Sequence, residues 1–128
     1  MKLRIDRDSL RLRLSRSDIE QFRETGVCTE TLRFVSGSRL TYTLATSSQL
    51  MAMAAEYHQD CIRFLVPVAM AQQWAGSDQI SLSCDLAECG GPSLLIEKDF
   101  QCLHRDDPST NDGDAFPNPS ADNQRRTG

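Results

Sequence analysis

The stretch LRLRLSRSDIEQF, Leu10 to Phe22, laid without gaps over IRFLVPVAMAQQW, Ile62 to Trp74, decides the fold. At an offset of 52 residues Leu10 meets Ile62, Arg11 meets Arg63, Leu12 meets Phe64, Leu14 meets Val66, Ile19 meets Ala71, Gln21 meets Gln73 and Phe22 meets Trp74. In SLRLRL, Leu10, Leu12 and Leu14 share one face and Arg11 and Arg13 the other, the period of a half-buried strand. SRSDIEQFRETG then reads as a helix of two to three turns. Ser17 and Glu20 have capping-box spacing, Ile19 and Phe22 share a face, and Gly26 suits the left-handed C-terminal position.

Two strands follow each helix. VCTETLRFV and RLTYTL flank the turn SGS, with Leu32, Phe34, Leu40, Tyr42 and Leu44 as alternating positions. In the second half LMAMAAEY and CIRFLV form a hairpin around HQD. Pro67 stands where a helix's first turn tolerates proline, VAMAQQWAG is a short helix, and DQISLSCDL and SLLIEKDF are strands around ECGGP. The chain thus repeats a unit of strand, helix and two strands, over about 1–48 and 49–105. Strands this short, with one helix per half, bury little alone, so the halves are expected to share one core. The expected fold class is α+β, mainly β: a small pseudo-duplicated barrel of short strands with two short helices.

Composition fits one folded domain over 1–105. The 128 residues are 39% hydrophobic but only 6% aromatic, which makes the core aliphatic. No apolar run approaches the ~20 residues of a membrane span. The start, MKLRIDRDSLRLRL, alternates where a signal peptide carries an unbroken apolar block, so a cytoplasmic protein with no membrane partner is expected. Residues 106–128, DDPSTNDGDAFPNPSADNQRRTG, bury too little apolar surface to offset ordering entropy and read as a disordered acidic tail. Within it Phe116, Pro117 and Pro119 form a stiff apolar hook suited to docking.

Charge is uneven: residues 1–50 carry a net +3, residues 51–104 a net −5, and 105–128 a net −2. An acidic chain is a poor nucleic-acid binder, since affinity there comes from phosphate neutralisation. The basic first segment offers a face of Arg11, Arg13, Arg33 and Arg39, whose ordinary alternative is solvated strands interleaved with acids.

No GxSxG, HExxH, GxGxxG or phosphate-cradling motif is present, so catalysis is not the leading expectation and no catalytic residue is assigned. IEKDFQCLH, Ile96 to His104, concentrates chemistry at the last strand. Glu97 and Asp99 share a face, and Cys102 and His104 form a soft-metal pair that His58 and Cys61 would have to complete. The five cysteines include no CxxC pair and read mainly as small buried hydrophobes in a reducing compartment. No cofactor is expected, with zinc or copper as the alternative.

IRFLVPVAMAQQWAGSDQISLSC, through Val66, Pro67, Trp74, Asp78 and Ile80, resembles the swapped-hairpin barrel domains of AbrB and MazE type. That resemblance implies a barrel shared between two halves. DNA-binding members carry basic and polar residues around the proline, and FLVPVAM has none, so the likeness bears on fold and not on DNA binding. SLRLRLSRSDIEQFRETG, LLIEKDFQCLH and FPNP together resemble a family of small bacterial proteins of unassigned function, a likeness that implies no activity. The resulting expectation is a binding or interaction module for a protein or small ligand, monomer or homodimer. The alternatives are a transition-metal-binding protein and a barrel-type DNA-associated regulator.

Overall fold

Alternating leucines start the chain as strand, and the strands come in pairs. In the computed structural model, which describes residues 1–85 and 91–100, each half is hairpin, helix, hairpin. The first half comprises β1 (Lys2–Asp6), β2 (Ser9–Leu14), α1 (Arg16–Thr25), β3 (Val27–Arg33) and β4 (Arg39–Ser47). The second comprises β5 (Ala54–His58), β6 (Cys61–Pro67), α2 (Val68–Ala75), β7 (Ser81–Cys84) and β8 (Ser93–Lys98). The expected unit of strand, helix and two strands therefore gains a leading strand. In the first half that strand is β1, where Leu3 and Ile5 alternate with Lys2, Arg4 and Asp6.

The hairpins are exchanged between halves. One sheet has the order β1-β2-β8-β7 and the other β3-β4-β6-β5. In each sheet the two central strands are parallel and the outer pairs antiparallel. The offset of 52 carries one sheet onto the other. Leu12 stands opposite Ile96 as Phe64 stands opposite Leu44, and Ser93 N–H donates to Asp8 O at 2.8 Å as Thr41 N–H donates to Asp60 O at 3.0 Å. The equivalence slips at one place. Thr46 N–H donates to Gly26 O and Lys98 N–H to Ile80 O, both at 3.1 Å, so β3 maps onto β7 at 54 rather than 52. The cause is local: α2 ends two residues early, at Gly76, and a longer connection leads to β7.

The expected closed barrel is instead two open four-stranded sheets, with β1, β7, β3 and β5 at the edges. Among the described residues β1 pairs with β2 alone, and between β1 and β3 a 410 Å³ mouth lined by Leu3, Ile5, Leu32, Leu40 and Tyr42 takes the place of a closing ladder. The hairpin β3–β4 overshoots the core. Leu44 is buried and Leu40 and Tyr42 half-buried, while Leu32 and Phe34 are 52% and 51% exposed.

The core lies on the pseudo-twofold axis. The largest fully buried side chains include Leu12 with its mate Phe64, Leu14 with Val66, and Leu44 with Ile96. Each contributes about 1.5–3 kcal/mol relative to an exposed side chain. Phe22 and its mate Trp74 meet where α1 crosses α2, edge to face, with centroids 6.2 Å apart at 65°. Trp74 carries an N–H that Phe22 lacks, and the longer connection after α2 supplies its acceptor, Ile80 O at 3.1 Å.

Capping differs from expectation by two residues. β2 runs to Leu14, so Ser15 is the first residue off the strand and becomes the N-cap. Asp18 N–H donates to Ser15 Oγ at 3.3 Å and Ser15 N–H to Asp18 Oδ2 at 2.9 Å, so Ser15 and Asp18 form the box in place of Ser17 and Glu20. Gly26 ends α1 in the left-handed conformation (φ 78°), and a Cβ there would lie 3.1 Å from Thr46 Oγ1.

Candidate functional site

Two clefts flank the helix pair, and the offset of 52 carries one onto the other. The first, 310 Å³, is walled by Val68, Ala71, Gln72 and Ala75 of α2, with Thr46 of β4 beneath and Phe22, Arg23 and Gly26 at the end of α1 on its other side. The second, 530 Å³, is walled by Arg16, Ile19, Glu20 and Arg23 of α1 with Lys98 of β8 beneath, and Asp99 and Phe100 at its rim. Position by position, Val68 answers to Arg16, Ala71 to Ile19, Gln72 to Glu20, Ala75 to Arg23 and Thr46 to Lys98. An uncharged wall on α2 and a charged one on α1 thus stand on the same backbone plan, and Arg23 at the helix crossing borders both clefts.

Within the charged cleft Lys98 is committed. Its Nζ donates to Ser77 O at 2.7 Å and lies 5.7 Å from the Trp74 ring centroid, a cation held over an aromatic face. Asp99 reaches Lys2 at 3.8 Å, and its N–H donates to Leu14 O at 2.8 Å. Arg16 and Arg23 have no ion-pair partner among the described residues, which leaves two guanidinium forks for an anion beside the apolar Leu14, Ile19 and Phe100.

A second polar cluster gathers around Met1. The Met1 side chain is buried, and its α-ammonium lies 2.8 Å from Asp18 Oδ2 and 3.3 Å from Glu30 Oε1, while Tyr42 Oη donates to Met1 O at 2.9 Å. Desolvation alone would lower the ammonium's pKa, but its hydrogen bonds and attraction to Asp18 and Glu30 outweigh it and hold the pKa above the ordinary value. Burial would raise the pKa of Asp18, yet hydrogen bonds from the ammonium and Ser15 bring it below the usual carboxylate range. Burial, reinforced by Asp18, pushes the Cys28 thiol up, and its Sγ donates to Asp18 O at 3.1 Å. Burial likewise raises Tyr42, with Glu30 adding to it. At the mate of Met1 stands the buried Met53, with Met70 and Leu94 in place of Asp18 and Tyr42.

Residues 1–120 match the model of a family of unknown function, DUF7009. The chain belongs to that family. No curated protein matches it. No solved structure matches it either. The DUF7009 match continues past residue 105 through Phe116, Pro117 and Pro119, so the region read as a tail falls largely within the family's span.

The residues singled out from sequence are divided in this DUF7009 structure. His58 and Cys61 flank the two-residue turn of β5–β6, opposite one another in one sheet. Glu97 lies in the other sheet, held by Arg13 at 2.9 and 3.1 Å, with Arg11 Nε at 3.7 Å. That carboxylate serves two arginines rather than forming a pair with Asp99. Cys102 and His104, the docking hook and residues 106–128 lie outside the described residues. Among the described residues no three His, Cys, Asp or Glu side chains converge to hold a metal. The basic face is split as well: Arg11 and Arg13 line the outer face of one sheet, while Arg33 and Arg39 stand opposite each other near the tip of β3–β4 in the other.

Cys28 and Cys61 are free thiols, but Cys84 is disulfide-bonded, which departs from the expectation of reduced cysteines throughout. No helix among the described residues is long and apolar enough to cross a membrane. Sequence reasoning missed Arg16 and Arg23, because charges on the exposed side of a short helix are ordinary. The signal was present in the offset, which sets them against Val68 and Ala75.

Proposed function

We propose that the protein is a binding module, rather than a catalyst, whose ligand seat is the charged cleft. The ligand is a small amphipathic anion, such as a carboxylate carrying an apolar chain. The observation that carries this reading is the divergence of two equivalent clefts. The α2 wall meets the needs of the fold with the uncharged Val68, Gln72 and Ala75, so charges at the equivalent Arg16, Glu20 and Arg23 are not required to hold the helices together. Arg16 and Arg23 supply charge-assisted donors, Glu20 and Asp99 restrict how an anion enters, and Leu14, Ile19 and Phe100 supply apolar contact.

Calorimetry with decanoate and with decylamine tests it. Decanoate should bind the full chain, decylamine should not, and the double variant Arg16→Val, Arg23→Ala, which copies the uncharged α2 wall, should lose decanoate binding while keeping its fold. Equal binding of the amine, or undiminished binding by the variant, would refute the assignment.

A further inference from the structure

The outer face of the β1–β2 hairpin carries cations in opposing rows. Lys2 stands directly opposite Arg13, and Arg4 directly opposite Arg11. Like charges directly opposite one another destabilise a sheet. Glu97 answers Arg13 and Arg11, and Asp99 answers Lys2, but Arg4 has no ion-pair partner among the described residues. The second half shows what the fold itself asks for at these places. There Ala54 faces Leu65, and Glu56 faces Arg63 with their charges 3.8 Å apart. The first half has given up that favourable pair for a repulsive one.

Among the described residues the same strand has an unused edge and an unfilled inner side, for β1 pairs there only with β2. Inward, Leu3 and Ile5 line the 410 Å³ mouth together with Leu32 and Leu40, and Ile5 is 60% exposed. A strand added along β1 would present alternate side chains to two environments, because successive residues point to opposite faces. One set would lie over Lys2 and Arg4, the other against Ile5 and Leu32.

We propose that β1 recruits an extended segment of a protein partner in which acidic residues alternate with aliphatic ones. Backbone pairing would give such a segment affinity, and the two faces would give it selectivity. Charge decides the occupant. A second copy joined through β1 would bring only Asp6 to answer Lys2 and Arg4, and would set Arg4 against a cation in every register that does not place Asp6 opposite it, so a segment with a full acidic row fits this face better than the strand's own copy. A polyanion with no apolar period would leave the mouth empty. This edge is independent of the charged cleft, and neither assignment requires the other.

The test uses the full chain and labelled peptides of one composition. A peptide of the pattern Glu-Val-Glu-Ile-Glu-Val-Glu should bind and slow amide exchange at Leu3 and Ile5. A peptide with its acids in one block and its aliphatics in another should bind about tenfold more weakly or worse, as should a lysine-for-glutamate version. The variant Arg4→Glu, which copies the second half at this position, should lose about tenfold or more in affinity while its thermal midpoint rises. Equal binding of the blocked peptide would replace the assignment with a general anion surface. Undiminished binding by Arg4→Glu, absence of binding by the alternating peptide, or exchange protection elsewhere than β1 would overturn it.

Discussion

Acetylating the α-amine of the chain that begins at Met1 should destabilise the domain by about 2 kcal/mol. The ammonium belongs to a half-buried residue and lies 2.8 Å from Asp18, whose side chain is only 19% exposed, and 3.3 Å from Glu30, which is 45% exposed. A net charged hydrogen bond is worth about 1.5–3 kcal/mol, and a half-exposed ion pair only a few tenths, so nearly all of the effect comes through Asp18. Asp18 keeps its bonds from Ser15 after acetylation, which places the loss below the ~3–5 kcal/mol of a wholly orphaned buried charge. For a domain of this size 1 kcal/mol moves the melting midpoint by ~4–8 °C, so a fall of about 10 °C is expected at pH 7. Melting the free and the acetylated chain side by side measures it, and a difference below about 2 °C would refute the reasoning.

The pH profile follows from the same contact. The ammonium's pKa is raised on folding, so its contribution is complete below the ordinary α-amine value of about 8 and is lost as pH rises through the folded value. The pKa of Asp18 is lowered on folding, so its contribution is complete above the ordinary value of about 4 and is lost as pH falls through the folded value. Between those limits the clamp's contribution should be flat. The acetylated chain should lack the alkaline decline, and its persistence would assign that decline to another group.

Other expectations can be checked on purified protein. Trp74→Ala removes the side chain at the helix crossing and should cost about 3–5 kcal/mol by denaturant titration. Gly26→Ala places a side chain at φ 78° and 3.1 Å from Thr46 Oγ1, and should cost roughly 1–2 kcal/mol in the same assay. Under alkylation without reductant Cys61, half-buried, should react first. Cys28, buried with its thiol pKa pushed up, should react slowly, and Cys84 only after reduction, which peptide mass mapping resolves.

How much of this was legible in the sequence differs by element. The duplication was readable because Leu12, Leu14 and Phe22 serve the core as Phe64, Val66 and Trp74 do, and a shared core leaves a shared apolar period. β1 was harder to separate from β2, since Lys2, Arg4 and Asp6 look like the solvated start of one long alternating run until Arg7 turns the chain at φ 53°. Closure was over-read: short alternating strands suit a barrel, but whether edges meet depends on how far β1 and β3 diverge, which no local pattern records. In the stretch IEKDFQCLH, Glu97 and Asp99 found ordinary partners in Arg13 and Lys2 because parallel pairing of β2 with β8 brings the basic and acidic runs together across the sheet. Arg16 and Arg23 carried no site signature of their own. Their meaning emerges only against Val68 and Ala75, once equal backbone positions with unequal chemistry are compared.

The most direct test of the central claim is amide chemical-shift mapping of the full chain during titration with decanoate. Saturable shifts confined to Arg16, Ile19, Glu20, Arg23 and Lys98, with Val68, Gln72 and Thr46 unmoved, are predicted. Shifts of equal size in both clefts, or none in the charged one, would contradict it.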